Sequence, residues 1–153
     1  MNDLMSEALR AALAAEARSW IGTPYHHRAS TKGAGADCLG LIRGVWRACI
    51  GAEPLLVPPY TGSWADADGG EPLLTAARTA LTECPASASI RPGDVIVFRV
   101  GPANVAKHAG IATSADRMVH AWEAAGVVET RLVPWWTRRI ADVFAFPGCN
   151  EET

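Results

Sequence analysis

The first fifty residues carry apolar side chains at helical intervals. Residues 4–21 are rich in alanine, and their apolar positions predict an amphipathic helix that ends at residues 22–24, Gly-Thr-Pro: Leu4, Leu9, Leu13, Ala17 and Trp20. A loop over residues 22–36 follows. A second helix is predicted from Cys38 to Ile50, with Gly51 as its stop. Its buried face would consist of Leu41, Ile42, Val45, Trp46 and Cys49.

Residues 52–72 break this regularity. They are rich in proline and glycine, so we interpret them as a long surface loop or insertion. A third helix is predicted over residues 73–83, with Pro72 near its first turn.

Short apolar runs replace the helical pattern after residues 92–94, Pro-Gly-Asp. They predict strands at residues 95–100, 108–113, 117–122, 126–130 and 140–146, with a helical turn at residues 134–136. Helices followed by an antiparallel meander indicate an α+β fold, in which N-terminal helices pack on an antiparallel β-sheet. We expect residues 1–153 to form one domain.

Composition and charge exclude several classes of function. The chain has 153 residues, 49% of them hydrophobic, and a net charge of -2, which gives no basic footprint for a nucleic acid partner. No run reaches the ~18 apolar residues that membrane insertion requires. The first residues lack the basic region of a signal peptide, so we expect synthesis in the cytoplasm. The four cysteines form no CxxC pair, and no disulfide framework is expected.

Cys38 is the strongest candidate for chemistry because it stands where a Gly-rich loop meets the second predicted helix. A helix start offers unpaired backbone N–H groups and the positive end of the dipole, and both favour the thiolate that acts as a nucleophile. Asp37 stands at the N-cap position, where a carboxylate accepts backbone N–H bonds. The Cys38 amide is placed to receive an oxyanion.

Two histidines supply the groups that a cysteine nucleophile lacks. His108 and His120 flank a predicted turn centred on Ser114. That register puts them directly opposite each other on adjacent strands, so that their side chains share a face. His108 would act as the base and His120 would orient its ring.

Other uses of these side chains remain open. A zinc site built from Cys38, His108 and His120 is the rival interpretation, although no short-spaced ligand pair supports it. We predict no metal and no cofactor. His26 and His27 are interpreted as loop residues near the cleft.

Five motifs stand in one order along the chain: Gly22-Thr23-Pro24-Tyr25, Gly35-Ala36-Asp37-Cys38-Leu39-Gly40-Leu41, Pro92-Gly93-Asp94, His108-Ala109-Gly110-Ile111 and Met118-Val119-His120-Ala121. This arrangement resembles the NlpC-type cysteine peptidases, which are papain-like murein endopeptidases. The resemblance implies a papain-like fold with Cys38 as nucleophile, His108 as base and His120 as the third polar residue. It also implies that Tyr25 lines the site near the oxyanion position. The expected substrate is a peptidoglycan stem peptide, cut between γ-linked D-glutamate and diaminopimelate.

The stretch from Gly33 to Arg47 is similar to small phage-type peptidases, including those of gene transfer agent particles. That similarity implies tail tip or hub proteins as partners, localisation in a phage-like particle, and action in the periplasm during DNA delivery. Two positions depart from the family pattern: Leu39 stands where serine is usual, and Ala109 where valine is common. Both departures bear on substrate fit.

Two further hypotheses remain open. The domain would be a virion structural or assembly module with a latent or tail-directed peptidase, an idea motivated by Trp64 in the 52–72 insertion. Alternatively, the same residues would perform murein amidase or acyl transfer chemistry.

Overall fold

The computed structural model describes residues 3–54, 71–102 and 104–149. Most of the predicted insertion, including Trp64, lies outside the described residues. The helices are α1 (Asp3–Arg18), α2 (Cys38–Cys49), α3 (Pro72–Ala80) and α4 (Pro134–Thr137). The strands are β1 (Ser30–Thr31), β2 (Gly35–Ala36), β3 (Thr82–Glu83), β4 (Val95–Arg99), β5 (Ala106–Ser114), β6 (Arg117–Trp122), β7 (Gly126–Arg131) and β8 (Ile140–Ala145). None of the described helices combines the length and the apolar character needed to cross a membrane.

Helices α1 and α2 form where predicted, although α1 ends at Arg18 and not at residue 21. The two helices pack closely against each other. Leu13, Ala17 and Trp20 are buried, whereas Leu4 is 75% exposed and does not belong to the predicted apolar face. A Cβ atom placed on Gly44 of α2 would come within 2.1 Å of the Trp20 indole. The absence of a side chain at Gly44 therefore lets the end of α1 lie directly on α2.

The third helix ends earlier than predicted. It stops at Ala80, and Thr82 and Glu83 form the short strand β3. Glu71 fixes the start of the helix, because its carboxylate pairs with Arg99 of β4 and accepts a hydrogen bond from the Ala106 amide of β5.

Six strands form one antiparallel sheet in the order β3-β8-β4-β5-β6-β7. Strands β4 to β7 make the predicted meander. The prediction of a simple meander is wrong for the last strand, because β8 returns to pair with β4, where Val95 lies opposite Phe144. This return places β4 in the interior of the sheet, which suits its nearly complete burial.

The two faces of the sheet are covered differently. Residues of the helix-facing core, such as Val95, Val97 and Ala109, pack with the apolar faces of α1, α2 and α3. On the other face, Ile96, Phe98, Ala112 and Met118 pack with Trp136 of the α4 turn. Trp136 is buried and Trp135 is 42% exposed, so Trp136 is the member of this adjacent pair that belongs to the core.

The Pro92-Gly93-Asp94 motif joins α1 to the sheet. Arg10 Nη1 of α1 lies 2.7 Å from Asp94 Oδ1, and both side chains are almost fully buried. The same nitrogen donates to the Pro92 carbonyl at 2.9 Å, and Asp94 Oδ2 accepts from the Arg91 amide at 2.9 Å. The structure therefore gives this motif a role in holding the fold together.

Candidate active site

Cys38 is the first residue of α2, as predicted. Asp37 is the N-cap, and its Oδ1 accepts a hydrogen bond from the Gly40 amide at 2.8 Å. Its Oδ2 accepts from the Arg28 amide at 2.6 Å, which ties the preceding loop to the helix. A Cβ atom on Gly40 would lie 1.8 Å from the Ala29 carbonyl oxygen, so this close approach requires glycine.

Opposing effects set the charge state of Cys38. Burial, and after it the carboxylate of Asp37, raise the pKa of the Cys38 thiol to about 12. Hydrogen bonds from the backbone amides of Ala109, Leu39 and Cys38 lower the pKa of the thiol, as expected at a helix start. Their combined effect is smaller than that of burial and Asp37. The amides at the helix start therefore favour the thiolate as predicted, but burial and Asp37 have the larger, opposite effect on the pKa.

His108 and His120 contact each other through a register that differs from the predicted one. His108 Nε2 lies 2.8 Å from His120 Nδ1. Ile111 pairs with Val119, and an irregularity between Ala112 and Ser114 shifts the turn. His108 and His120 are therefore diagonal neighbours on one face of the sheet, and the prediction that they lie directly opposite each other is wrong.

Aromatic rings enclose this histidine pair. The ring of Trp122 lies 5.0 Å from that of His108, and the ring of Trp136 lies 5.1 Å from that of His120. Burial, followed by the neighbouring His120, lowers the pKa of His108 to about 3. Burial also lowers the pKa of His120 to about 4. Both imidazoles are therefore neutral in the resting site at neutral pH.

The sulfur of Cys38 approaches β5 beside His108. The amide of Ala109, the residue that follows His108, hydrogen-bonds to the sulfur and lowers its pKa. Among the contacts of the described residues, no hydrogen bond joins the Cys38 thiol directly to His108. Since His108 uses Nε2 for His120, its Nδ1 is the nitrogen left for a proton from the thiol.

Tyr25 lies within the electrostatic reach of Cys38. It forms an isolated parallel bridge with Ala36, two residues before Cys38. Burial raises the pKa of Tyr25 to about 12, with further contributions from Cys38, Asp37 and Glu123. Its phenol is therefore protonated at neutral pH and can donate a hydrogen bond.

The remaining sequence candidates occupy varied places. His27 Nδ1 lies 3.8 Å from Asp37 Oδ2 and its side chain is 40% exposed, so it stands at the rim of the site. Leu39 and Ala109, the two departures from the family pattern, line one apolar groove between α2 and α3. In the described part of the chain, no group of three or more His, Cys, Asp or Glu side chains is placed to hold a metal ion, which gives the zinc interpretation no support.

Sequence reasoning missed one polar residue of this site. Thr130 Oγ1 of β7 lies 2.9 Å from His120 Nε2. No motif includes this threonine. The signal available in the sequence was its place in a strand that follows the His120 strand, but the register that brings the two side chains together is a tertiary property.

Comparison with known proteins identifies the domain. Residues 22–144 match the model of the NlpC/P60 family. The chain belongs to the NlpC/P60 family. The predicted family is therefore confirmed. The phage-type subgroup stays a prediction.

Individual relatives of this NlpC/P60 domain agree with the family match. The gamma-DL-glutamyl hydrolase of Bacillus subtilis (strain 168) is 28% identical over 132 residues, which are 86% of this chain and 28% of that protein. The chain therefore spans less than a third of that relative's length.

Solved structures show the same fold. The NlpC/p60 domain of the peptidoglycan hydrolase SagA has a TM-score of 0.62 and 23% identity, covering 90% of this chain and 98% of that chain. NlpC1 of Trichomonas vaginalis has a TM-score of 0.63 and 18% identity, covering 91% of this chain and 44% of that one. These likenesses confirm the predicted papain-like α+β fold.

Proposed function

We propose that this chain hydrolyses amide bonds in peptidoglycan stem peptides, with Cys38 as the nucleophile. The observation that carries the proposal is the hydrogen bond of 2.8 Å between His108 Nε2 and His120 Nδ1, set beside a cysteine at a helix N-terminus. This is the arrangement of a nucleophile, a base and an orienting group.

The reaction begins with a neutral thiol and a neutral imidazole. The Cys38 proton moves to His108 Nδ1 as the sulfur attacks the carbonyl carbon of the scissile amide. His108 then gives this proton to the departing amine, which leaves a thioester on Cys38. Water hydrolyses the thioester, with His108 as its base, and the free thiol returns.

The negative oxygen formed during attack needs hydrogen-bond donors. The Cys38 amide at the start of α2 is one candidate. The protonated Tyr25 phenol is the second. Asp37 serves as the helix cap, and its two carboxylate oxygens are engaged by the Gly40 and Arg28 amides.

We propose the bond between γ-linked D-glutamate and diaminopimelate as the point of cleavage. Two relatives support this substrate class: one is named a gamma-DL-glutamyl hydrolase, and the other is a domain of a peptidoglycan hydrolase. This chain departs from the family pattern at Leu39 and Ala109, the residues that follow Cys38 and His108 in sequence.

Digestion of purified diaminopimelate-type peptidoglycan, with mass spectrometry of the products, tests this function. We expect fragments cut after D-glutamate, and no fragments from the Cys38→Ala variant. Cys49→Ala is the matched control, because Cys49 is a half-buried thiol in the last turn of the same helix, and it should retain activity. Full activity of Cys38→Ala would contradict the mechanism, and fragments cut at the glycan–peptide amide would favour the amidase alternative.

A role in a phage-like or gene transfer agent tail is a further part of the proposal. Its support is the similarity of residues 33–47 to peptidases of that type. In this setting the protein acts in the periplasm and contacts tail tip or hub proteins. Particles that lack it should assemble but infect poorly, whereas absent or aberrant tails would favour the structural-module alternative.

A further inference from the structure

We propose that Trp136 is a positioning residue that covers the His108–His120 pair, keeps water away from it and so keeps His108 available as a base in acidic solution. This inference rests on the proposed cysteine peptidase function. The indole of Trp136 lies against both imidazoles, with its ring centroid 5.7 Å from that of His108 and 5.1 Å from that of His120. One side chain therefore covers the two histidines together.

Trp136 differs from the other rings around the pair because it comes from outside the sheet. Phe98 lies directly opposite His108 on β4, and Trp122 follows His120 by two residues on β6. Trp136 belongs to α4, in the connection between β7 and β8. Its ring lies 4.9 Å from that of Phe98 and 5.3 Å from that of Trp122. The indole therefore spans side chains of β4, β5 and β6 and covers this part of the sheet.

Burial of the pair under this indole is nearly complete. His108 is 6% exposed, His120 is 2% exposed and Trp136 is 8% exposed. A tryptophan side chain buries about 150–250 Å² of surface. Loss of the Trp136 indole would therefore open the imidazoles to water, which favours the charged form of a histidine.

The charge on the two histidines depends on this cover. Burial is the largest cause of their lowered pKa values, which are about 3 for His108 and about 4 for His120. A histidine in water is half protonated near about pH 6.5, and a protonated His108 cannot take the proton of the Cys38 thiol. Exclusion of water therefore keeps the base in its working form at a lower pH.

The described ring and hydrogen-bond partners of the pair include no carboxylate that would stabilise its charged form. Strand β4 contributes Phe98, β6 contributes Trp122 and β7 contributes the hydroxyl of Thr130. Helix α2 contributes Cys38, whose thiol is protonated in the resting site. Just after α4, the guanidinium of Arg139 stacks on the neighbouring tryptophan of that turn. Cover from water, and not a counter-charge, therefore sets the charge state of the base.

NMR titration of the histidine rings tests the inference without any need for activity. In the folded Cys38→Ala protein, we expect His108 and His120 to stay largely uncharged from about pH 8 to about pH 5. In the same background, Trp136→Ala should raise the midpoint of His108 to about pH 6. Trp136→Phe keeps a ring at this position and should leave both histidines largely uncharged at about pH 5. A midpoint between about pH 6 and pH 7 for His108 with Trp136 intact would overturn the proposal, and that result needs no variant at position 136.

The pH dependence of kcat/KM on a stem peptide gives the second readout. Relative to the intact protein on the same peptide, Trp136→Ala should lose about tenfold in kcat/KM between about pH 7 and pH 5. The reason is that only about one tenth of a base with a midpoint near pH 6 is uncharged at pH 5. Trp136→Phe should recover most of this loss. A merely structural role of the indole would lower kcat/KM by the same factor at every pH.

Trp135→Leu is the matched control for both measurements. Trp135 stands beside Trp136 in the same turn and contacts its ring at 4.8 Å, but it is 42% exposed. Its replacement should leave the histidine titrations and the pH profile unchanged. Equal shifts in Trp135→Leu and Trp136→Ala would contradict the specific role given to Trp136.

The two measurements separate this inference from the proposed function. A raised His108 midpoint in Trp136→Ala, in a protein that cleaves no stem peptide, would contradict the proposed substrate and support the positioning role. An unchanged midpoint and an unchanged pH profile in a folded Trp136→Ala protein would overturn the positioning role and leave the peptidase function intact.

Discussion

At the scale of single residues, the site is neutral before substrate arrives. The Cys38 thiol is protonated because burial and Asp37 disfavour its charge, and both histidines are uncharged because they are buried. In the proposed mechanism, proton transfer therefore accompanies attack on the substrate instead of preceding it. Asp37 has two effects, since the carboxylate that caps α2 also disfavours a negative charge on Cys38.

Alkylation of Cys38 by iodoacetamide should report this protonation directly. Only the thiolate reacts, and the pKa is about 12. We therefore expect the rate to rise about tenfold per pH unit to beyond about pH 9. Site-resolved mass spectrometry measures it. Asp37→Asn keeps a capping oxygen and removes the charge, so it should speed alkylation at a given pH.

A rate that is already constant between about pH 5 and pH 8 would indicate a preformed thiolate–imidazolium pair and would contradict the neutral resting site.

At the scale of elements, the sequence predicted which segments are helices and strands better than how they pair. Periodicity located α1, α2 and strands β4 to β8, because buried faces impose it on the residues. Periodicity missed the two-residue strands β1, β2 and β3. It also placed the centre of the turn between His108 and His120 at the wrong residue. A bulge depends on backbone pairing with a neighbouring strand, and the sequence of residues 112–116 contains no pattern that predicts one.

The residues of the candidate site also fall into those that the sequence predicted and those that it did not. Cys38, His108, His120, Tyr25 and Asp37 were identified from motifs and capping rules, and the structure brings them into one region. Thr130 and the enclosing Trp122 were not assigned to the site, because their contacts arise from strand register.

The ion pair between α1 and the sheet yields a prediction at this scale. Asp94→Asn should lower the free energy of unfolding by about 3–5 kcal/mol, because it replaces the carboxylate that pairs with the buried Arg10 guanidinium by a neutral amide. Urea denaturation measures the change. Asp116→Asn is the control, since Asp116 is exposed in the β5–β6 turn and should alter stability by about 0.5 kcal/mol or less. Equal effects of the two substitutions would contradict the role given to Arg10 and Asp94.

At the scale of the whole molecule, the histidine pair connects the catalytic site to stability in acid. In the unfolded chain a histidine has a pKa near 6.5, whereas in the folded protein those of His108 and His120 are about 3 and 4. Below about pH 6.5 the unfolded state therefore binds more protons than the folded state. The stabilisation is complete above that pH and is lost as the pH falls.

Urea unfolding between pH 7 and about pH 5 should show this loss. Once the pH is well below 6.5, each histidine should reduce the free energy of unfolding by about 1.4 kcal/mol per pH unit. His120→Gln should lessen the slope, because one titrating group is removed. A stability that stays level across this range would show that the two rings are not buried in neutral form.

The return of β8 to the interior of the sheet also has a consequence for biosynthesis. While the ribosome is still adding the residues after β4, one edge of β4 has no partner, and four of its five residues belong to the buried core. This edge of β4 gains its partner only when β8, residues Ile140–Ala145, has emerged from the ribosome. A nascent chain that stalls earlier exposes an apolar strand edge of the kind that pairs with other chains. Pairing of β8 is therefore the step that covers this apolar edge of β4.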